Sequence, residues 1–245
     1  MKSFEWEWKS FDGLGMYSKG WVPEKDPKAI VCLIHGLGEH IGRYEHVGAA
    51  FASAGYALLG FDLRGHGKSG GARGHTPSYE ALLDDIAAFI KQAQERYPAK
   101  PCFLYGHSLG GNLVVNYALR RKPDLKGMIA TGPWLKLAFQ PPAFKVALGR
   151  TMNKLAPGFS QASGLETAAL SHDPEVVEAY VNDPLVHDKI SARMFVGTYE
   201  SGLYAFDHAA EFPLPLLLMH GADDRITSAE ASRQFGAAAP KFVTT

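Results

Sequence analysis

The spacing of apolar and polar positions changes character several times along the 245 residues. The opening stretch FEWEWKSFDGLGMYSKGWVP alternates around Asp12-Gly13, a period of two interrupted by a turn dipeptide, and predicts an antiparallel hairpin. AIVCLIHG (29–36) is then a short unbroken apolar run ended by glycine, the pattern of a strand buried on both faces. Helical spacing follows over 43–55, with Gly55 placed to cap its C-terminus. A second buried strand begins YALLGFDLRGHGKSGG (56–71) and breaks into a glycine-rich loop. The clearest amphipathic helix spans 78–98, with Ser78 at the N-cap, Leu82, Leu83, Ile86, Phe89 and Ile90 on one face, and proline at its end. PCFLYG (101–106) and LKGMIATG (125–132) read as strands that bracket the helical GGNLVVNYALRRKP.

Strand and helix alternate, which implies parallel βαβ units: an α/β fold, a mostly parallel sheet with helices on both faces. The rhythm fails from Gly132 to Tyr199, a proline- and aromatic-rich stretch containing FQPPAF and LAPGFSQ. It resumes with PLLLMHGADD (215–224) as a strand, SAEASRQFGAAA as a helix, and PKFVTT as the start of a last strand. A long insertion between two strands reads as a cap over the strand ends, where ligands bind in this architecture. The expected division is a core of 1–132 and 200–245 with a cap of 133–199.

Charge narrows the function classes. Lys+Arg and Asp+Glu both number 25, which leaves none of the basic excess of a nucleic-acid binder. Cys32 and Cys102 lie in apolar runs and read as buried reduced thiols, with little support for a disulfide or metal site. The N-terminal residues carry charges throughout and no run reaches the ~18–20 apolar residues of a spanning helix. The expected location is cytoplasmic.

Candidate chemistry centres on YGHSLGG (105–111). Gly106, Ser108 and Gly110 make a G-x-S-x-G pentapeptide between a predicted strand and a predicted helix. A serine on so sharp a turn stands exposed above the sheet, beside the N–H groups and positive dipole end of the helix. The pentapeptide alone is weakly specific, since many βα turns contain glycine; the strand before it and the helix after it give it weight. HGLGEH (35–40) ends an earlier strand and offers the N–H of Leu37 as a second oxyanion donor beside that of Leu109. LLLMHGADDRI delivers Asp223 and Asp224 to the same edge, and either can orient a base or cap a helix. Ser228 is also available as a cap.

Taken in order, HGLGEHIGRYEHVGAAFASAGY, FDLRGHGKSGGARGH, YGHSLGGN, NDPLVH and LLLMHGADDRI resemble the α/β-hydrolase superfamily, and within it the monoacylglycerol lipase and lysophospholipase branch. The resemblance covers nearly the whole chain. It implies a serine ester hydrolase with Ser108 as nucleophile, Leu37 and Leu109 as oxyanion donors, and Asp224 rather than Asp223 as the carboxylate. It implies that Glu39 and Arg43 help form a polar pocket for the alcohol part of the ester, where a simple surface salt bridge is the plainer reading. It further implies an apolar acyl tunnel beneath the cap, a small-molecule acyl ester as substrate and no cofactor or metal. Transient contact of the cap with a membrane surface is compatible with it.

One expected element is missing. The resemblance places the catalytic histidine after the aspartate, and none of the ten histidines follows His220. The expectation is therefore a chain cut short and inactive or nearly so as given, since removing the base removes most catalysis. The rival reading is a non-catalytic binding protein that holds an apolar ligand on the same fold. Acyl-transfer machinery does not fix the leaving group, so a peptidase or thioesterase also remains open.

Overall fold

The computed structural model describes residues 1–239 and 243–244. The N-terminal strands β1 (Lys2–Lys9) and β2 (Gly15–Val22) pair antiparallel in register Lys2↔Val22 to Lys9↔Gly15, around the predicted turn. The core strands are β3 (Ile30–Ile34), β4 (Ala57–Phe61), β5 (Cys102–His107) and β6 (Gly127–Thr131). Helices α1 (Glu45–Ser53), α2 (Tyr79–Arg96) and α3 (Leu109–Arg121) connect them.

The inserted stretch carries α4 (Ala143–Leu155), a small strand β7 (Ser160–Ala162), α5 (Pro174–Val181) and β8 (Lys189–Ser191), the two strands pairing antiparallel. Helix α6 (Ala192–Asp207) follows at once. It returns to the core, where Asn112 and Asn116 of α3 donate to the carbonyls of Thr198 and Ser201. Strand β9 (Leu216–Met219), α7 (Ala229–Ala238) and β10 (Val243–Thr244) complete the described chain.

The main sheet runs β1-β2-β4-β3-β5-β6-β9-β10 and is parallel from β4 onward. Alternate residues of the same strands face different helices. Val31, Leu33 and Leu58 pack with Val47 and Phe51 of α1, whereas Ile30, Cys32, Ile34 and Leu59 pack with α2 and α3. That two-sided burial explains the unbroken apolar runs of β3 and β4, every residue of which is buried. Both cysteines are buried free thiols. The predicted last strand appears as β10, parallel to β9; residues 240–242 and 245 of PKFVTT lie outside the described residues.

Ends are set as the sequence suggests. Ser78 Oγ accepts from the Ala81 N–H and Ser228 Oγ from the Ala231 N–H, and Gly55 sits at φ +90° after α1. Helical spacing over 43–55 is realised in two pieces, a 3-10 turn over Ile41–Tyr44 and then α1.

Candidate active site

Ser108 stands between β5 and α3 with φ +53° and ψ −113°, a conformation that a non-glycine residue adopts at a cost of order 1–3 kcal/mol. Its neighbours explain how the turn closes. A Cβ on Gly106 would lie 2.2 Å from the Gly110 carbonyl oxygen, and one on Gly110 would lie 2.0 Å from the Ile34 carbonyl oxygen. The Ser108 backbone is pinned as well, its N–H donating to Thr131 O and its carbonyl accepting from Trp134 N, each at 3.0 Å. The hydroxyl has no hydrogen-bond partner among the described residues.

The turn after β3 lies directly against this serine. A Cβ on Gly36 would stand 3.3 Å from Ser108 Cβ. The Leu37 N–H in this turn and the Leu109 N–H at the head of α3 both lack a protein acceptor among the described residues. Two donors without a protein acceptor among the described residues, beside a half-buried serine, suit an oxyanion that forms there.

Glu39 has a job inside the turn. Its Oε1 accepts from the Gly36 N–H at 2.6 Å and from the Tyr44 hydroxyl at 2.7 Å, and its Oε2 lies 3.5 Å from Arg43 Nε. Burial opposes its ionisation, but His107, His35 and these donors outweigh burial and hold its carboxyl below the ordinary range. The salt bridge with Arg43 is therefore present, on a carboxylate whose side chain is only 12% exposed. Arg43 stacks its guanidinium 4.8 Å from the ring centre of Tyr180, a residue of α5 in the insertion. The Tyr180 hydroxyl is 3.3 Å from where a Cβ on Gly38 would be. Burial first, then Glu39, pushes its pKa up to about 12. Sequence reasoning missed Tyr180; its only signal was an aromatic residue just before NDPLVH.

Asp224 lies at the far side of the elbow. Oδ1 accepts from the Ile226 and Thr227 N–H groups at 2.8 and 2.9 Å, and Oδ2 accepts from Thr227 Oγ1 at 2.7 Å. His220 Nε2 is 3.2 Å from Oδ2. Burial again opposes ionisation, and these donors reverse it, so the carboxyl titrates well below the usual range. Asp223 is exposed and makes no side-chain hydrogen bond among the described residues. The position of a Cβ on Gly132 is 3.6 Å from Asp224 Oδ2 and 3.8 Å from His107 Cε1, so the aspartate sits next to the strand end that carries Ser108.

The histidines at the strand ends are engaged elsewhere. His107 Nδ1 meets Thr131 Oγ1 at 3.0 Å, His35 bonds the Gly36 carbonyl and the Leu63 N–H, and His220 bonds Ser232 and Thr227. No histidine hydrogen-bonds Ser108 among the described residues.

The chain as a whole matches a known family. Residues 25–244 fit the pattern of Hydrolase_4, the serine aminopeptidase, S33 family. The chain belongs to that family. It is 36% identical over 228 residues to a monoacylglycerol lipase of Mycolicibacterium smegmatis, covering 91% of this chain and 81% of that one. It is 41% identical over 224 residues to an uncharacterized abhydrolase domain-containing protein of Dictyostelium discoideum; that match covers 91% of this chain, which spans 24% of the longer protein. The crystal structure of a monoacylglycerol lipase from Paleococcus ferrophilus superposes with a TM-score of 0.83 at 34% identity, covering 100% of this chain and 87% of that one. The fold is that of the α/β-hydrolases. Among the described residues, no helix of this family member is long and apolar enough to cross a membrane.

Proposed function

We propose that the chain is built to hydrolyse acyl esters of the glycerol or lysophospholipid type through an acyl-enzyme. The supporting observation is the convergence of Ser108 with the unpaired N–H groups of Leu37 and Leu109. Ser108 Oγ attacks the ester carbonyl carbon and gives its proton to a base. The carbonyl oxygen becomes an oxyanion and accepts from Leu37 and Leu109. The intermediate collapses, the C–O bond to the alcohol breaks, and the base protonates the leaving alcohol. Water repeats the sequence on the acyl-enzyme and releases the acid.

Asp224 orients the base, and no histidine among the described residues hydrogen-bonds Ser108 to fill that role. The 245 residues alone are expected to turn over slowly, at the residual ~10³–10⁴ over water that oxyanion donors and binding supply. Arg43 and Tyr180 face the alcohol part, with Glu39 bracing the turn beneath them. The cap lies within residues 133–199, the last of which belong to α6 and pack on the core. Phe144, Leu148 and Leu155 make an exposed apolar stripe on α4 flanked by Lys145 and Lys154, which suits transient contact with a membrane surface. The proposed setting is the cytoplasm, on the sequence grounds given above.

The test is release of fatty acid from a monoacylglycerol, measured with and without added imidazole as a diffusible base, beside an aminoacyl-peptide substrate. The proposal expects ester cleavage that rises with imidazole and vanishes in Ser108→Ala. Cleavage of the peptide alone contradicts the ester reading. A folded protein that retains the lipid unhydrolysed under both conditions favours the non-catalytic binder.

A further inference from the structure

The Leu37 peptide, whose N–H has no protein acceptor among the described residues, is held from both sides. On one side the Gly36 N–H donates to Glu39. On the other, the Gly38 carbonyl accepts at 2.9 Å from the backbone N–H of His187, a residue of the inserted stretch. Gly38 has φ +77°, and a Cβ there would lie 2.4 Å from the His187 carbonyl oxygen, so turn and inserted stretch meet backbone to backbone.

The segment 183–188 has two further anchors on the core. His187 Nδ1 accepts from the Lys189 N–H, which leaves Nε2 protonated to donate to Gly65 O at 3.0 Å. His40 Nδ1 likewise accepts from the Gly42 N–H, so its Nε2 donates to Asp183 Oδ2 at 2.8 Å, while Asp183 Oδ1 accepts from the Leu185 N–H. His40 caps the 3-10 turn that ends in Tyr44, and the Tyr44 hydroxyl holds Glu39. A run of hydrogen bonds therefore leads from Asp183 through His40, the 3-10 turn, Tyr44 and Glu39 to Gly36. The His187 N–H closes the other side.

We propose that segment 183–188 is a strap that aims the Leu37 N–H, with Asp183 and His187 as positioning residues for the oxyanion turn. The proposal rests on the esterase reading for its catalytic consequence, but not for the mechanical link. An oxyanion donor is effective only when fixed in place before charge develops. A strap released from the core frees the Gly38 carbonyl and loosens the peptide that carries the donor. The oxyanion turn is then held in its working geometry only while this part of the insertion is docked.

Hydrogen–deuterium exchange tests the link without relying on catalysis. Asp183→Ala is expected to speed exchange over 183–188 and, by about tenfold, over 35–40, with β5 unchanged. Coupling is reciprocal, so Gly38→Ala is expected to speed exchange over 183–188. Faster exchange of the strap with 35–40 unchanged overturns the proposal, as does a Gly38→Ala effect confined to 35–40. If Asp183→Ala also loosens β5, Asp183→Asn and Gly38→Ala decide the matter.

The catalytic consequence is read from saturation labelling of Ser108 by a fluorophosphonate in imidazole. The expected result in Asp183→Ala is a maximal rate about tenfold lower at unchanged half-saturation, partly restored in Asp183→Glu. An unchanged maximal rate, or a change confined to half-saturation, overturns the positioning role. A folded wild-type chain that takes no label refutes the esterase reading, and the exchange result still decides whether strap and turn are linked.

Discussion

Gly36 and Ser108 approach so closely that a Cβ added to the glycine would stand 3.3 Å from the serine Cβ. The same atom would stand 2.8 Å from Glu39 Oε1, the group that holds the turn. Gly36→Ala is therefore expected to push Glu39 off the Gly36 N–H and cost about 1–3 kcal/mol, the usual range for overpacking. Urea unfolding checks the stability loss. Labelling of Ser108 should slow by more than the small shift in folded fraction explains.

The elbow itself predicts a larger effect. Added methyls at Gly106 and Gly110 meet backbone carbonyls at 2.2 and 2.0 Å, which no side-chain rotation relieves. Gly106→Ala and Gly110→Ala should each cost about 3 kcal/mol or more. Gly221→Ala is the control, since nothing lies within 4 Å of its added Cβ; its unfolding free energy should change by no more than about 0.5 kcal/mol.

The two adjacent aspartates should separate cleanly. Asp224→Asn leaves four donor contacts facing a group that accepts through one oxygen, an expected loss of about 1–3 kcal/mol, whereas Asp223→Asn should be silent. The pH dependence has a definite sign. A carboxyl held below its unfolded pKa of about 3.9 stabilises the fold above that value and loses the contribution as pH falls. The difference between wild type and Asp224→Asn should therefore shrink in urea titrations run below about pH 4.

Beneath the site, Arg64 is clamped by Asp85 through Nε at 2.6 Å and Nη2 at 2.8 Å, and by Asp12 through Nη1 at 2.9 Å. Ser10 also donates to Asp85. The cluster ties the N-terminal hairpin and the loop after β4 to α2, with the Asp85 side chain fully buried. Asp85→Ala leaves the guanidinium buried without its main partner and is expected to cost about 3–5 kcal/mol by thermal or urea unfolding.

Most of the fold was legible because its signals are local. Alternation around Asp12-Gly13, the buried runs of β3 and β4, and the Ser78 and Ser228 caps need only the residues that form them. Ser108 was legible because Gly106 and Gly110 are the closest-packed points of its turn. Glu39 was found but not its work, since Gly36 and Tyr44 become its partners only when the chain folds back through the 3-10 turn. Tyr180, Asp183 and His187 stayed hidden as participants because they come from the insertion, more than 130 residues from the turn they touch. No periodicity reports a contact of that kind.

The central proposal is that Ser108 is a nucleophile served by the Leu37 and Leu109 N–H groups and by Asp224, while no histidine among the described residues hydrogen-bonds it. Exposure of the folded protein to a fluorophosphonate, with and without imidazole, followed by mass mapping of the adduct, tests it most directly. The account predicts one adduct, on the peptide containing Ser108, formed slowly alone, faster with imidazole, and absent in Ser108→Ala. A folded protein that stays unlabelled in imidazole, or carries its adduct elsewhere, contradicts it.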